Sequence, residues 1–568
     1  MVFDHNDFRI AEKAYYFWTD FLQELGRLDP PKLRNDKINR FLSIFENLIR
    51  VCYKRMIRTE ENMESDDEND VVESDDEDHA GGPRLSEFET HRLEVGEILV
   101  YLIWACTENA LALTMATKIT DLAMRATKNP DIEAGIISFK SIAKEIAFSS
   151  QNSPNGRAIE NMLKLGLSKA SYDISIRRAT CDLICDLAEH ISSHPEVYID
   201  SATKFLVESI RIESGRSCRH ACYAFKHLGI KRGSSYLVRA IESLFTQINP
   251  YDTSLQEDCR LDLLEGIVSI WLNELIQVIQ NDSEEDHQRL KSIFQSFCAP
   301  PLQNLSMLIS SANTSSDRNF PSSKPFIESV DAALQSLTVF IKYSNLPSYM
   351  SPEMESTPEA IEFILSKIWP SLPQFHVLHE KNFEQFCKFL KYAIRTFPAF
   401  VRENIRSLFE FIVQHFRDND VSYLLYLTGV IFKEFFDCPE LIELFPPVLS
   451  ELSRLTLEKV LNTRESFITH PDFVEDLFYL GNRTVEYLPD AIVQTDAFDR
   501  LFGMASEVGV TLEHPEAFRS VTIFLESAIS LGIVSQQRED ISHTDERYRP
   551  YVNQVYLINV RTIPLIRM

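Results

Sequence analysis

The feature that most constrains this chain is the helical period of its apolar residues, which recurs in nearly every segment, whereas strand-like alternation is almost absent. In ISIRRATCDLICDLAEHI the stripe consists of Ile176, Thr180, Leu183, Ile184, Leu187 and Ile191. The following segment repeats the pattern with Ile199, Ala202, Phe205, Leu206 and Ile210. Residues at this spacing share one face of a helix. The sequence therefore predicts an all-α fold in which helix follows helix.

Prolines separate these helices and mark a repeat. Pro195 stops one helix and starts the next, because proline is tolerated in the first turn of a helix and not in its interior. A similar unit surrounds Pro398, and a third copy, in a shifted register, runs through Pro489. Helical hairpins recurring at roughly 35 to 45 residues are typical of a HEAT-repeat α-solenoid, since one hairpin cannot bury its apolar stripe alone. A large irregular helical domain is the alternative.

Composition indicates one extended folded architecture outside the secretory pathway. The 568 residues include only 16 Gly and as many as 38 Phe, so a large core is possible and flexible linkers are scarce. The N-terminus lacks a signal peptide, and no segment reaches about 18 uncharged apolar residues. We expect a cytosolic or nuclear protein without membrane insertion, whose ten Cys are buried apolar residues in a reducing compartment.

An acidic segment interrupts the helical pattern. The stretch from Glu60 to Asp78 carries twelve acids and no base. Such a segment cannot fold alone, because like charges repel and little can be buried. It is either a passive, solubilising loop or an arm that engages a basic partner or competes with an acidic one. The residues predicted to contact a partner are Asp66, Asp67, Glu68, Asp75, Asp76 and Glu77.

The predicted domain organisation follows from these patterns. The C-terminal stretch YVNQVYLINVRTIPLIRM departs from the helical rhythm. We therefore expect HEAT-type helices over 1–59, an acidic disordered loop over 60–85, a HEAT-repeat solenoid over 86–545 and an atypical tail over 546–568.

Signatures of catalysis are missing. The sequence has no Gly-rich phosphate loop, HExxH, GxSxG or CxxC pattern. The nearest approach to a metal cluster is CRHAC, but we expect Cys218, His220 and Cys222 to point in different directions on a helix. Zinc requires converging ligands. We predict that the protein is not an enzyme and has no metal and no cofactor.

The segment CKFLKYAIR places a cationic stripe on a predicted helix over 382–397. Lys388, Lys391 and Arg395 share one face, in a chain whose formal net charge is -27. The opposite face is apolar and consists of Phe386, Phe389, Leu390, Ala393 and Phe397. The stripe is either a solvated face that maintains solubility or a surface that binds an anion.

Three segments resemble the transportin-SR and importin-thirteen branch of the β-karyopherins. They are AEKAYYFW at 11–18, KIWPSL at 367–372 and HPDFVEDLF at 470–478, and the similarity runs in order from about residue 8 to about residue 545. The resemblance implies a nuclear import receptor that wraps cargo, shuttles between cytoplasm and nucleus, and needs no direct contact with nucleic acid. The implied partners are cargo proteins, Ran GTPase and Phe-Gly nucleoporins.

The resemblance also suggests a role for the stripe. Receptors of the transportin-SR type hold phosphorylated arginine-serine-rich splicing factors with an arginine-rich helix for the phosphates and acidic surfaces for the arginines. CKFLKYAIR is similar to that helix in position and spacing, which implies that Lys388, Lys391 and Arg395 bind cargo. Lysine at two of these positions predicts weaker or less selective phosphate binding, and the importin-thirteen branch, with other cargoes, stays open.

Two further expectations concern identity and length. A HEAT-repeat scaffold subunit of a protein phosphatase or other complex would share the periodicity, the acidity and the missing catalytic motifs. In the resembled family several repeats precede the segment similar to AEKAYYFW. We therefore expect a central fragment that carries the cargo stripe and responds poorly to RanGTP.

Overall fold

The computed structural model describes residues 8–29, 31–58, 87–106, 110–149, 151–170, 173–212, 216–230, 248–251, 255–280, 284–315, 320–344, 358–489, 495–508 and 512–537. Every regular element in these ranges is helical. The chain divides into two compact units, Met1–Ser283 and Glu284–Met568. The predicted acidic loop over 60–85 and the tail over 546–568 lie outside the described residues.

Most helices of the first unit follow one another with short connections, and the longer intervals, from Arg55 to Glu87 and from Ile230 to Glu257, include residues outside the described ranges. They are α1 Phe8–Gly26, α2 Pro31–Arg40, α3 Leu42–Arg55, α4 Glu87–Ala105, α5 Ala110–Arg125, α6 Asn129–Ile146, α7 Pro154–Lys169, α8 Ile174–Asp186, α9 Ala188–Ser193, α10 Pro195–Ile212, α11 Arg216–Ile230 and α12 Glu257–Gln280. Several begin at a proline, whose missing N–H costs nothing in the first turn.

One layer of the first unit is a row of parallel helices, α4, α6, α8, α11 and α12, with α5, α7 and α10 packed against α6, α8 and α11. Side-chain contacts between neighbours in this row join residues 41, 42 and 36 positions apart, namely Arg92 with Glu133, Lys140 with Asp182, and Lys226 with Asp262. These separations match the predicted repeat.

Two glycines allow α11 and α12 to pack unusually closely. A Cβ at Gly229 would lie 2.4 Å from the carbonyl oxygen of Gly266, and a Cβ at Gly266 would lie 2.8 Å from the ring of Phe225. Neither distance is compatible with a side chain. The absence of a Cβ at both positions therefore sets the spacing of this pair.

The second unit continues the same construction. Its helices are α13 Glu284–Thr314, α14 Lys324–Lys342, α15 Pro358–Ile368, α16 Glu380–Thr396, α17 Pro398–Glu403, α18 Ile405–Asp418, α19 Tyr423–Glu434, α20 Phe445–Leu455, α21 Ser466–Thr469, α22 Pro471–Tyr487, α23 Ala497–Val508 and α24 Pro515–Gln537. Short 3₁₀ helices cover Phe320–Ser322, Trp369–Val377 and Ile442–Leu444, and a π-helical turn covers Thr456–Val460.

A second row of helices, α14, α16, α19, α22 and α24, forms one layer of this unit, and α18, α20 and α23 contribute to the other. Phenylalanine fills the space between the layers. The rings of Phe375 and Phe386 stack at 4.4 Å, and Phe383 stacks on His415 at 3.9 Å. Helix pairs that stack in chain order and share a core are the HEAT-type arrangement. The predicted HEAT-repeat α-solenoid fold is confirmed.

Local details differ from the sequence expectation. The helix predicted through Leu187 is interrupted there, where φ is -95° and ψ is 8°, so the segment forms α8 and α9. Phe205 is only half-buried, unlike the rest of its predicted stripe. Among the described residues, no helix combines the length and apolar character that spanning a bilayer requires.

Candidate anion-binding surface

The predicted cationic stripe lies on α16, an amphipathic helix of the second unit. The apolar face of α16 is fully buried and includes Phe386, Phe389, Leu390 and Ala393. On the other face Lys388 and Arg395 are exposed and Lys391 is half-buried. The structure therefore brings all three predicted cations together along one side of a single helix.

Two of the three cations have carboxylate partners. The Nζ atom of Lys388 lies 3.0 Å from a carboxylate oxygen of Glu384, one turn earlier on α16. The Nε atom of Arg395 lies 3.7 Å from Glu434 on α19. Lys391 forms no ion pair with any described residue. These three cations thus differ in how much of their charge is available to a ligand.

Lys391 is held by aromatic rings. Its Nζ atom lies 5.7 Å from the ring centroid of Tyr392 and 5.2 Å from that of Tyr426 on α19. An ammonium group near an aromatic ring is attracted by the negative face of the π-system, yet it keeps its full charge. The contact therefore positions Lys391 without neutralising it.

The same kind of contact extends over neighbouring helices. The Nζ atom of Lys342 on α14 lies 5.6 Å from the Tyr392 centroid. Tyr426 stacks on Tyr479 of α22 at 4.9 Å, and the guanidinium of Arg483 lies 5.0 Å from the Tyr479 centroid. We call this set the aromatic–cation ladder, which consists of Lys342, Tyr392, Lys391, Tyr426, Tyr479 and Arg483.

Sequence reasoning found only Lys391 of the ladder. The other members lie on helices whose mutual register depends on how the repeats stack, and the spacing within one helix carries no information about it. No pattern within a single helix identifies Tyr392, Tyr426 and Tyr479 as neighbours, because their half-buried positions in one row are visible only in the structure.

Carboxyl groups collect at the other end of the same helices. Burial raises the pKa of Asp476 on α22 to about 8, and the nearby carboxylates of Glu475 and Asp472 add to the rise. Burial and a hydrogen bond to Glu384 raise the pKa of Tyr423 at the start of α19. The row therefore presents cations along part of its length and an acidic patch, Glu384, Asp472 and Glu475, at one end, beside the protonated carboxyl of Asp476.

Cations in the first unit are arranged differently. Three lysines of its parallel row each contact a carboxylate on the next helix, with Lys140 at 2.8 Å from Asp182, Lys144 at 3.2 Å from Asp186, and Lys226 at 2.9 Å from Asp262. Their charges are neutralised within the protein. In the ladder of the second unit, Lys342 and Lys391 contact tyrosine rings instead.

The acidic residues predicted to contact a partner cannot be placed on this surface. All six lie outside the described ranges, namely Asp66, Asp67, Glu68, Asp75, Asp76 and Glu77.

The cysteines of CRHAC converge, contrary to expectation. The Sγ atoms of Cys218 and Cys222 are 3.8 Å apart, and the Sγ atom of Cys259 on α12 lies within 4.8 Å of both. Residues i and i+4 share a helix face, and the sequence interpretation overlooked this. His220 points elsewhere, with its Nδ1 atom 2.6 Å from Asp182. Structural zinc sites take four ligands, and the described residues supply three here.

Comparison with known proteins identifies relatives. Residues 359–460, which include α16, match the family described as the Transportin-3/Importin-13 fourth TPR domain. Transportin MOS14 of Arabidopsis thaliana is 26% identical over 180 residues, which make up 31% of this chain and 18% of that protein. A solved structure of importin-13 in its cytosolic state has a TM-score of 0.73 at 15% identity, and the match covers 98% of this chain and 58% of that one.

At 15% identity the likeness to importin-13 shows a shared fold and nothing finer. The chain covers less than two thirds of the length of either relative. Function and partners must therefore be argued from the surface.

Proposed function

We propose that this chain, a karyopherin of the transportin and importin-13 branch, is a nuclear transport receptor that carries cargo through the nuclear pore and shuttles between cytoplasm and nucleus. The relationship rests on the family match at residues 359–460 and on the similarity to MOS14. The family match and the similarity to MOS14 support the prediction that the chain is not an enzyme. We further propose phosphorylated arginine-serine-rich splicing factors as cargo and Ran GTPase as the regulator of release.

The observation that carries the cargo proposal is the cationic stripe of α16. Lys388, Lys391 and Arg395 lie along one side of a rigid helix, and Lys391 keeps its charge. A phosphoserine carries a charge of about -1.5 to -2 and three acceptor oxygens. Charge-assisted hydrogen bonds from Lys and Arg to phosphate are among the stronger polar contacts in proteins. The stripe is therefore the physical complement of a phosphorylated segment.

The acidic patch supplies the complement to arginine. Asp472 is exposed and Glu475 is half-buried at the start of α22, in the same row of helices as the stripe. A ligand that alternates phosphoserine with arginine presents both signs of charge within a few residues. Neighbouring surfaces of opposite sign favour such a ligand over one of uniform charge.

An apolar groove in the second unit is our candidate for Phe-Gly nucleoporins. This cavity of about 1210 Å³ is lined by residues that include Trp369, Phe400, Pro447 and Val448. The rings of Trp369 and Phe400 meet edge to face at 5.4 Å. Aromatic side chains favour such contacts, so a phenylalanine ring of a partner fits this lining.

Charge reversal tests the cargo proposal. The triple variant Lys388→Asp, Lys391→Asp and Arg395→Asp should lose binding of a phosphorylated arginine-serine segment in a fluorescence anisotropy titration. Single exposed charges contribute only about 0.2 to 1 kcal/mol, so the three must be changed together.

The matched control reverses three exposed cations that lie outside the stripe. Arg27, Lys164 and Lys324 have side chains 71%, 70% and 85% exposed. Their triple Asp variant carries the same change in net charge and should bind nearly normally. Unchanged affinity in the soluble stripe variant, with its circular dichroism spectrum intact, would remove the basis of the cargo proposal.

A further inference from the structure

We infer that the thiols of Cys218, Cys222 and Cys259 form a binding site for one soft metal ion of the monovalent copper class, which joins α11 to α12. The inference goes beyond the proposed function, because it concerns the packing of two helices of the first unit and not the surface of α16. It revises the expectation from the sequence that the chain has no metal, an expectation that placed the cysteines of CRHAC on different sides of α11.

The three sulfur atoms are spaced as ligands of a single ion. All three Sγ atoms lie within 4.8 Å of one another, and those of Cys218 and Cys222 are 3.8 Å apart. Three sulfur atoms that surround an ion at about 2.3 Å, a typical metal–thiolate bond length, are about 4.0 Å apart. Small rotations of the side chains therefore bring the three thiols to coordination distance.

The packing of α11 on α12 holds the thiols together. Gly229 and Gly266 lie seven residues after Cys222 and Cys259, respectively, so each glycine shares a helix face with its cysteine, two turns away. A Cβ at Gly229 would lie 2.4 Å from the carbonyl oxygen of Gly266, so the two helices approach closely along this face. Because this packing exists without the ion, the ligands are gathered in advance, which lowers the entropic cost of binding.

Convergence distinguishes this cluster from the other buried cysteines. Cys52 and Cys298 are also buried, and a single buried cysteine behaves as a small apolar residue. A core needs apolar volume at such positions, but it does not need sulfur atoms that face a common point. Within the described ranges, the cluster is the one group of three Cys, His, Asp or Glu side chains whose ligand atoms come together in this way. The arrangement therefore indicates a ligand.

The type of ligand atom selects the ion. No described His, Asp or Glu side chain joins the three sulfur atoms, and His220 instead contacts Asp182 at 2.6 Å. Mg²⁺ and Ca²⁺ prefer oxygen ligands, and structural zinc and iron–sulfur sites take four protein ligands. Thiolates also select monovalent copper, a filled-shell ion that does not require a fourth ligand. Three buried thiols are therefore best suited to Cu(I).

The ends of the two helices favour the negative charge of the thiolates. Cys218 and Cys259 are each the third residue of their helix. Helix N-termini carry a partial positive charge, which stabilises thiolates in the first turn. Arg219 and Asp258, which adjoin these cysteines in sequence, are exposed and form an ion pair of 3.3 Å. The cluster thus lies close to the surface, and an ion reaches it when these two side chains move.

A competition titration tests the site. The full chain, reduced and kept free of oxygen, is titrated into Cu(I) held by a chromophoric chelator, whose absorbance reports transfer of the ion. We expect one Cu(I) per chain to leave the chelator, and X-ray absorption to show three sulfur neighbours at about 2.3 Å. Failure to take Cu(I) from the chelator, or a bound ion without three sulfur neighbours, would overturn the site.

Variants assign the ion to the cluster. Cys218→Ala and Cys259→Ala, measured separately, should each weaken Cu(I) binding by at least about 100-fold, because loss of an outer-shell partner alone already costs about 10- to 100-fold. The controls are His220→Ala, from the same motif, and Cys438→Ala, which removes a half-buried thiol of the second unit. Both should bind Cu(I) normally. Unchanged affinity in either cluster variant, with its circular dichroism spectrum intact, would contradict the assignment.

Zn²⁺ and thermal melting test the class of ion and its effect. Zn²⁺ alone should bind the cluster at least about tenfold more weakly than Cu(I), because a fourth ligand is missing. Tighter binding of Zn²⁺ would overturn the choice of copper. Cu(I) should raise the melting temperature of the unmodified chain and not that of Cys259→Ala, since an ion that binds only the folded state stabilises it. Equal shifts in the two chains would show that the ion does not join α11 to α12.

Discussion

The ammonium group of Lys391 on α16 lies 5.2 Å from the centre of the Tyr426 ring on α19. The two residues belong to successive helices of one row, and Tyr426 stacks in turn on Tyr479 of α22. One cation of the stripe is therefore positioned by side chains from two other helices. The affinity of this surface for anions should depend on residues that never contact the anion themselves.

Replacing Glu434 with glutamine should strengthen binding of a phosphorylated segment. The Glu434 carboxylate lies 3.7 Å from Arg395 and competes with phosphate for the guanidinium. Both side chains are partly exposed, so we expect a gain of about two- to fivefold in an anisotropy titration at low salt. Glu328→Gln, which removes a carboxylate paired with Lys324 away from the stripe, is the matched control. Weaker binding by Glu434→Gln would contradict the idea of competition.

The stability of the second unit should depend on the protonation of Asp476. Its folded pKa of about 8 lies above the ordinary value of 3.8, mainly because of burial. The folded state therefore keeps a proton that the unfolded state releases. The resulting stabilisation is complete below pH 4 and is lost as the pH rises through 8. Between pH 4 and pH 9 the melting temperature of Asp476→Asn should fall less than that of the unmodified chain. Equal falls in the two chains would contradict a protonated carboxyl at this position.

Removing the carboxylate of Glu133 should strongly destabilise the first unit. Both carboxylate oxygens accept hydrogen bonds of 3.0 Å from Arg92, and both residues are buried. Glu133→Ala leaves a buried guanidinium without its carboxylate, which costs about 3 to 5 kcal/mol. Glu24→Ala breaks the exposed pair with Arg27 and should cost less than about 1 kcal/mol. Urea titrations measure the free energy of unfolding of both variants. Equal losses would show that burial does not determine how much an ion pair contributes to stability.

Deleting residues 60–78 should affect association and not stability. The segment carries twelve acids, which a folded core cannot accommodate. We expect an unchanged melting temperature and a slower on-rate for basic partners, because long-range attraction acts mainly on encounter. Stopped-flow mixing at low salt measures this rate. Equal on-rates for the intact and shortened chains would indicate a passive loop.

The local pattern of the chain was sufficient to predict α16 and its stripe. Phe386, Phe389 and Leu390 identify the buried face, and Pro398 limits the helix at its C-terminal side. These features depend on residues within four positions of each other, where helix geometry is fixed. The fold class followed from many such segments in succession.

The sequence could not predict which residues of neighbouring helices contact each other. Contacts between neighbouring helices of a row join residues 41, 42 and 36 positions apart in the first unit, so no constant offset aligns one helix with the next. The contact of Lys391 with Tyr426, and the convergence of Cys259 on Cys218, both depend on that variable register. Contacts of this kind can be identified only from the packed structure.

The most direct test of the account compares one arginine-serine segment before and after phosphorylation by a purified kinase, with binding to the full chain measured by anisotropy across a range of salt concentrations. We predict clearly tighter binding of the phosphorylated segment, and a loss of that advantage as salt rises, since the screening length falls from about 10 Å at 0.1 M to about 3 Å at 1 M. Equal or weaker binding of the phosphorylated segment at low salt would contradict the central claim that this surface recognises phosphate.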